Sequence, residues 1–392
     1  MKLRVVRDLD PHDQRVLLRA DLNVPLANGR VADDSRIRAV VPTLRWLVDR
    51  GARVGVLSHL GRPEGAVVDA LRMAPVADRL RELLGQQVHA VRQCVGREVV
   101  QAVNALPPGG VVVLENVRFH AGEEENDPEF ARQLAAPFDA FVNDAFATAH
   151  RAHASTVGVA RVLPSYAGLL MAREVEVLTE VRDHPRRPFY VLVGGKKAKD
   201  KLGVLTDLLA RVDGFLVGGG VAFTFLVAQG HSVGKSVVDA QLVGTLRDLL
   251  REAAAKGKKI LLPEDVVVAR ELKAGAATRV VPAHAIPDDG MGLDIGPATV
   301  QRFATELAKA GTVVWAGPLG AFETPPFDAG TDAVARALIR SPAFTVVGGG
   351  ETGEAVQRLG LAEQFGYIST GGGATLDFLR GKPMPALEAL RM

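Results

Sequence analysis

Short apolar runs alternate along this chain with longer stretches in which apolar residues recur every third or fourth position. No other feature restricts the fold as much. Runs at 16–19, 53–58, 110–114 and 140–143 have strand character. Segments 41–49 and 74–84, and one opening at 130–134, have helical spacing, and Gly51 stops the first. The rhythm resumes beyond residue 188. Strands are expected at 190–193, 214–217, 260–262, 313–315, 345–347 and 367–369, with helices at 204–211, 242–256, 298–310, 333–338 and 352–359. A strand followed by a helix returns to its sheet through a right-handed crossover, so each group closes into a parallel sheet with helices on both faces. Two doubly wound, Rossmann-like α/β domains of five or six strands each fit 392 residues. The break between them is expected at 165–188, where a helix near 174–181 runs into the connector 182–188, RDHPRRP.

Composition excludes several classes. With 47% hydrophobic and 23% charged residues the chain is neither disordered nor fibrous, and its 41 glycines show no three-residue period. A net charge of +2 gives no reason to expect a nucleic acid or a membrane surface as partner. Cys94 is the single cysteine, so no intramolecular disulfide forms, and a cytoplasmic, reducing setting is expected. Asp8 and Asp10 fall where a signal peptide needs an apolar run. The longest charge-free apolar stretch, 214–228, is too short to span a bilayer and is broken by Gly218, Gly219 and Gly220.

In open parallel sheets, ligands bind beyond the carboxyl ends of the strands. The unusual residues of this chain gather there. Arg19-Ala-Asp21-Leu-Asn23-Val-Pro25 follows the first strand, Ser58-His59-Leu60-Gly61-Arg62-Pro63 the second, and Glu115-Asn116-Val117-Arg118 the third. Asn143-Asp144-Ala145-Phe146 comes next, then His150-Arg151-Ala152-His153, while Arg36 sits after the first loop. Asp21, Asn23, His59, Arg62, Arg118 and Arg151 are thereby projected toward one face. With Arg36 they suit a small, multiply anionic, hydroxyl-bearing ligand.

The second half carries Gly194-Gly195-Lys196-Lys197-Ala198-Lys199-Asp200-Lys201 and Gly348-Gly349-Gly350-Glu351-Thr352, glycine-rich turns whose N–H groups suit phosphates. Eleven of the twelve lysines lie beyond residue 181, whereas the first half relies on arginine, so each half is expected to handle a different anion. Other features carry less. His150 and His153 lack a third metal ligand, Cys94 reads as an inert buried thiol, and 123–125 reads as a solvated acidic loop. Gly348, Gly350 and Gly353 satisfy a dinucleotide motif, but Ser369-Thr370 stands where that motif needs an acid.

These motifs, in this order, resemble the phosphoglycerate kinase family. The resemblance rests on R-x-D-x-N-x-P at 19–25, SHLGRP at 58–63, NDAF and HRAH between 143 and 153, GGxKxxDK at 194–201, GPxGxFE at 317–323, GGGxT at 348–352 and STGGGA at 369–374. It runs from about residue 16 to 382. It implies two domains facing a cleft and joined by a helix and hinge. Residues 1–170 would bind 3-phosphoglycerate, 171–188 would link, 189–377 would bind nucleotide, and the tail 378–392 would return to the first domain. It implies reversible Mg²⁺-dependent phosphoryl transfer from 1,3-bisphosphoglycerate to ADP, giving 3-phosphoglycerate and ATP, by a cytoplasmic monomer.

By motif position, Asp21, Asn23, His59, Arg62, Arg118 and Arg151 would hold 3-phosphoglycerate, with Arg36 beside the transferring phosphoryl group. Lys201 would hold nucleotide phosphates and Lys197 would follow the moving group. Glu323 would bind the ribose, Gly349, Gly350 and Thr352 would cap the phosphates, and Glu351 would ligate magnesium. Gly218, Gly219, Gly220 and Gly292 would line the nucleotide pocket. Four positions depart from the family pattern: Glu351 for Asp, Ala316 for Asn, Lys196 for Ala, and Ala147 for Gly. The last is tolerable if φ there is negative. Glu351 and Ala316 motivate the competing reading, a nucleotide-binding relative without turnover.

Overall fold

The strand Arg15–Arg19 shows how the first sheet is built. Val16 and Leu18 face one side and Leu17 the other, and all three are fully buried. Successive strand side chains alternate, and a parallel sheet covered by helices buries both faces. This sheet has six parallel strands in the order Val88–Ala90, Val111–Val113, Arg53–Leu57, Arg15–Arg19, Ala140–Asn143, Ser165–Ala167. Helices Ser35–Val48 and Ala74–Leu84 deliver Ile37, Val40, Leu44, Val76 and Leu80 to the Val16 face. Helices Arg97–Asn104 and Pro128–Ala135 deliver Val99, Val103, Phe130 and Leu134 to the Leu17 face. Each such side chain contributes about 1.5–3 kcal/mol on burial. Local signals set the helix ends. Asp127 accepts the Phe130 N–H at 2.6 Å to start Pro128–Ala135, and Gly85 at φ +70° stops Ala74–Leu84.

The structure is a computed structural model that describes residues 2–392. Its contacts divide the chain into two units, one running to Glu176 and including Lys382–Met392, the other Val177–Gly381. The division falls inside the helix Leu169–Asp183. The tail belongs to the first unit: Arg4 N–H donates to Leu390 O and Ala386 N–H to Ala149 O, both at 3.2 Å.

The second unit holds another six-stranded parallel sheet, ordered Lys259–Leu261, Gly214–Val217, Phe189–Val193, Thr312–Ala316, Phe344–Val347, Tyr367–Ile368. Tyr190, Leu192, Val313 and Trp315 pack on one face with Phe303, Leu307, Val334, Leu338 and Val356. The charge-free stretch 214–228 is the strand Gly214–Val217 followed by the helix Gly219–Ala228. Among the described residues no helix is long and apolar enough to cross a membrane.

Several elements went beyond the expected rhythm: the strands Val88–Ala90 and Ser165–Ala167, the helix Arg97–Asn104, and a further sheet. Asp265–Ala269, Arg279–Pro282 and Met291–Ile295 form a three-stranded antiparallel sheet with Asp265–Ala269 in the middle. Its Val266 and Val268 pack on Phe223 and Leu226 of the helix Gly219–Ala228.

Candidate active site

The parallel strands of the first unit release their loops at one edge, and hydrogen bonds knit those loops together. Asp21 is buried. Its Oδ1 accepts the Asn23 N–H at 3.2 Å, and its Oδ2 accepts Arg36 Nη1 from the first turn of Ser35–Val48. Asn23 Oδ1 accepts the Gly61 N–H at 2.8 Å, joining the first loop to the second. Gly61, at φ +65°, offers its carbonyl to Arg118 Nη1 at 2.9 Å, joining the third. Arg118 is aimed by Asn116, whose Oδ1 accepts the Arg118 N–H at 3.1 Å while its Nδ2 donates to Leu60 O at 2.7 Å.

Arg118 is buried, with Nε 3.3 Å from Glu124 Oε1. Burial lowers its basicity. Glu124 opposes that, and the charges of the exposed Arg151 and Arg62 add to it. His59 is buried beside Arg19, with Nδ1 3.2 Å from Arg19 Nη2. Burial, joined by the charges of Arg19, Arg118 and Arg36, holds its imidazole well below the usual histidine range. The ring is therefore neutral at pH 7. Arginines around one carboxylate, one amide and a neutral imidazole form a site for a small, multiply charged anion.

In the second unit three strand-end loops approach backbone to backbone. Gly194 N–H donates to Ala316 O at 3.1 Å, Gly195 N–H to Pro318 O at 2.8 Å and Gly219 N–H to Leu319 O at 2.9 Å. A Cβ on Gly194 would overlap Pro318 O, and one on Gly220 would overlap Lys196 O. Gly317 adopts φ +107° and donates its N–H to Thr352 Oγ1 at 2.7 Å. Gly349, at φ +105°, turns the chain into the helix Gly350–Arg358, leaving the first N–H groups of that helix free to bind an anion. Burial lowers the Lys201 ammonium while the negative charges of Glu351 and Asp200 pull the other way. Backbone donors, a half-buried lysine and the exposed carboxylates of Asp200 and Glu351 are parts that suit a nucleotide's phosphates and their counter-ion.

Gly218 belongs to the same cluster: it packs against Leu319 and donates its N–H to Val193 O at 2.8 Å. Gly292 packs against the Phe223 ring and donates its N–H to Ser236 Oγ at 2.9 Å. Lys197 and Glu323 are exposed.

The family model for phosphoglycerate kinase matches residues 6–382. The chain belongs to the phosphoglycerate kinase family. The phosphoglycerate kinase of Moorella thermoacetica is 53% identical over 385 residues, 98% of either chain. That of Pelotomaculum thermopropionicum is 53% identical over 390 residues, 100% of this chain and 99% of the relative. The solved structure of phosphoglycerate kinase from Coxiella burnetii superposes with a TM-score of 0.88 at 41% identity, covering 99% of each chain. This chain is accordingly an enzyme, a kinase of glycolysis that transfers phosphate, with the two-domain parallel-sheet fold of its family.

The departures from the phosphoglycerate kinase pattern sit as follows. Ala147 lies in the 3-10 turn Phe146–Thr148 and is absent from the positive-φ residues. Ala316 is buried and its carbonyl accepts Gly194 N–H, while Lys196 and Glu351 are exposed.

One expectation fails. Of the acidic run, Glu124 and Glu125 are exposed, but Glu123 is fully buried, and its carboxylate accepts the Ser155 N–H at 2.8 Å and the Ser155 hydroxyl at 2.6 Å. The sequence reading also gave no role to Arg19, which is fully buried and donates Nε to Ser155 Oγ at 2.8 Å. Its place at a strand's carboxyl end, two residues before Asp21, was the available signal.

Proposed function

We propose that this kinase transfers a phosphoryl group reversibly from 1,3-bisphosphoglycerate to MgADP, giving 3-phosphoglycerate and MgATP. The observation that carries the reading is the hydrogen-bonded convergence of three strand-end loops on Asp21, Asn23, Arg36 and Arg118, beside the neutral His59. Those residues, with Arg62 and Arg151, hold the glycerate acid and its phosphate. In the second unit, Lys201, Gly349, Gly350 and Thr352 hold nucleotide phosphates. Gly218, Gly219, Gly220 and Gly292 bring backbone close to the nucleotide, and Glu323 takes the ribose.

Magnesium fits as part of the nucleotide substrate. Among the described residues no group of three or more His, Cys, Asp or Glu could cage an ion. Glu351, exposed at a helix start, matches an ion carried mainly by phosphate oxygens and water. When bound, the ion neutralises phosphate charge.

In the transfer, an oxygen of the ADP β-phosphate bonds to phosphorus as the acyl-phosphate P–O bond breaks. The leaving group is a carboxylate and needs no general acid. Arg36 and Lys197 supply positive charge to the phosphoryl oxygens, the kind of stabilisation that dominates such reactions. The two ligands are assigned to different units, so turnover requires a hinge-bending movement that unites them and excludes water. The reading includes a monomer, as the family resemblance implies, acting in the cytoplasm, which the single, buried Cys94 supports.

The experiment is turnover of 3-phosphoglycerate with MgATP by the purified protein, coupled to NADH oxidation through glyceraldehyde-phosphate dehydrogenase, and repeated with Mn²⁺. Activity in Mg²⁺ is expected. Folded protein that is silent with both metals would overturn the reading in favour of a binding protein.

A further inference from the structure

We propose that Glu123, Ser155 and Arg19 form a buried relay that fixes the tautomer of His59, so that its Nε2–H is the donor offered to the bound ligand. The proposal deepens the phosphoglycerate reading and rests on it for the identity of that ligand. Arg19, Glu123 and Ser155 are fully buried and His59 nearly so. They come from four separate segments of one unit, and each has a single way to satisfy the next.

The relay begins at Glu123, at the end of the turn Ala121–Glu123. Burial raises its carboxyl, but His153, Arg19 and Ser155 together outweigh burial and hold it below the usual glutamate range. Glu123 is thus ionised and can only accept. The Ser155 hydroxyl, 2.6 Å from Oε1, must therefore donate to it. That leaves the lone pairs of Ser155 Oγ free to accept Arg19 Nε at 2.8 Å. Arg19 Nη1 donates to Ala20 O, and Nη2 faces His59 Nδ1 at 3.2 Å. A guanidinium has five N–H donors and no acceptor. His59 Nδ1 must then be the acceptor and carry no proton. In a neutral ring the proton sits on Nε2.

The same arrangement explains why a charged pair lies beneath the site. A fully buried guanidinium without a counter-charge is strongly destabilising, and Glu123 supplies that counter-charge. The cations facing the ring, Arg19, Arg118 and Arg36, disfavour a further positive charge on it. Ser155 and Glu123 act through Arg19 and are positioning residues. The outcome is a neutral, directional donor set among arginines. It suits a hydroxyl or carboxylate oxygen of the ligand, whereas the arginines serve its phosphate.

The test is nitrogen-15 NMR of histidine-labelled, substrate-free protein, with His59 assigned by the signals lost in His59→Gln. The expected result is an unprotonated Nδ1 and a protonated Nε2. Ser155→Ala removes the acceptor of Arg19 Nε, and Ser155→Thr restores a hydroxyl. Ser155→Ala is expected to mix the His59 tautomers and raise KM for 3-phosphoglycerate about tenfold, with a smaller fall in kcat, because a buried donor is left unmet. Ser155→Thr should recover most of both effects.

A proton on Nδ1 in the unsubstituted protein overturns the relay. So does a Ser155→Ala protein with unchanged His59 signals and KM. If Ser155→Ala does not fold, the tautomer of the unsubstituted protein decides alone. Failure of the substrate reading looks different: the Nε2–H tautomer is present, yet 3-phosphoglycerate is not turned over.

Discussion

Thr352→Val tests how the second unit holds its phosphate loops. Thr352 is 1% exposed, and its Oγ1 accepts the N–H of Gly317 at 2.7 Å. Valine keeps the shape and removes the acceptor, leaving that N–H buried and unmet at a cost of about 1–3 kcal/mol. Gly317 is already at φ +107°, a conformation open essentially to glycine, so the loop has little freedom to turn its N–H elsewhere. Thr352→Ser keeps the acceptor and removes one methyl, worth about 0.8 kcal/mol. The valine variant should be the less stable of the two. For a unit of this size it should melt roughly 2–12 °C below the unsubstituted protein, from about 2–4 °C per kcal/mol. The bond also ties the helix Gly350–Arg358 to the loop after Thr312–Ala316, so KM for ATP should rise in the valine variant. KM for 3-phosphoglycerate should not, because every residue assigned to it lies in the other unit. Thermal melts and the coupled assay read both. A valine variant that melts above the serine variant, with unaltered KM for ATP, would refute the reasoning.

Three further outcomes are expected. Arg36→Ala should lower kcat by about 10²–10³, the usual cost of losing one preorganised transition-state charge, while substrate still binds; turnover near the original level would remove Arg36 from the mechanism. Burial pushes the Asp294 carboxyl up to about 7, so the folded state holds a proton that the unfolded chain has lost, and stability should fall as pH rises from about 4 to about 7. Asp294→Asn should remove up to about 3 kcal/mol of the stability lost between pH 5 and pH 8, read as unfolding midpoints at those two pH values; an unchanged difference would mean Asp294 does not titrate there. Glu351→Asp shortens that side chain by one methylene and should improve turnover in Mg²⁺ relative to Mn²⁺, since Mg²⁺ demands the stricter geometry; an unaltered Mg²⁺/Mn²⁺ ratio would separate Glu351 from the metal.

The sheets were legible where periodicity had length to express itself. Arg15–Arg19, Ala140–Asn143 and Gly214–Val217 stand out because both faces are buried, which leaves uninterrupted apolar runs. Val88–Ala90 and Ser165–Ala167 were missed because VHA and SYA carry no apolar run, whereas the equally short Val111–Val113 is all valine. The antiparallel sheet was missed because its three strands follow one another with no helix between them, outside the alternating rhythm, and its strand Arg279–Pro282 is mostly exposed. The residues of the candidate site were readable by type and by their place at strand ends. Their mutual bonds were not, since Gly61 meets Asn23 and Arg118 only after folding. Glu123 could not be told from Glu124 and Glu125, because its burial is decided by Ser155, 32 residues further along.

The strand Arg15–Arg19 carries a consequence for assembly. With apolar side chains on both faces, sliding it one residue against Arg53–Leu57 or Ala140–Asn143 would merely exchange valine for leucine, and hydrophobicity alone would not object. Its two ends do object. Arg15 grips Asp139 through its backbone N–H at 2.9 Å and its Nε at 3.0 Å, and Arg19 fits one slot between Ser155 and His59. A slip would carry one guanidinium into the apolar layer or pull the other off its partners, at a cost of several kcal/mol. Arg19, beneath the proposed substrate site, thus also acts as a proofreader of strand alignment. Variants that weaken its grip should fold with more errors as well as bind more weakly.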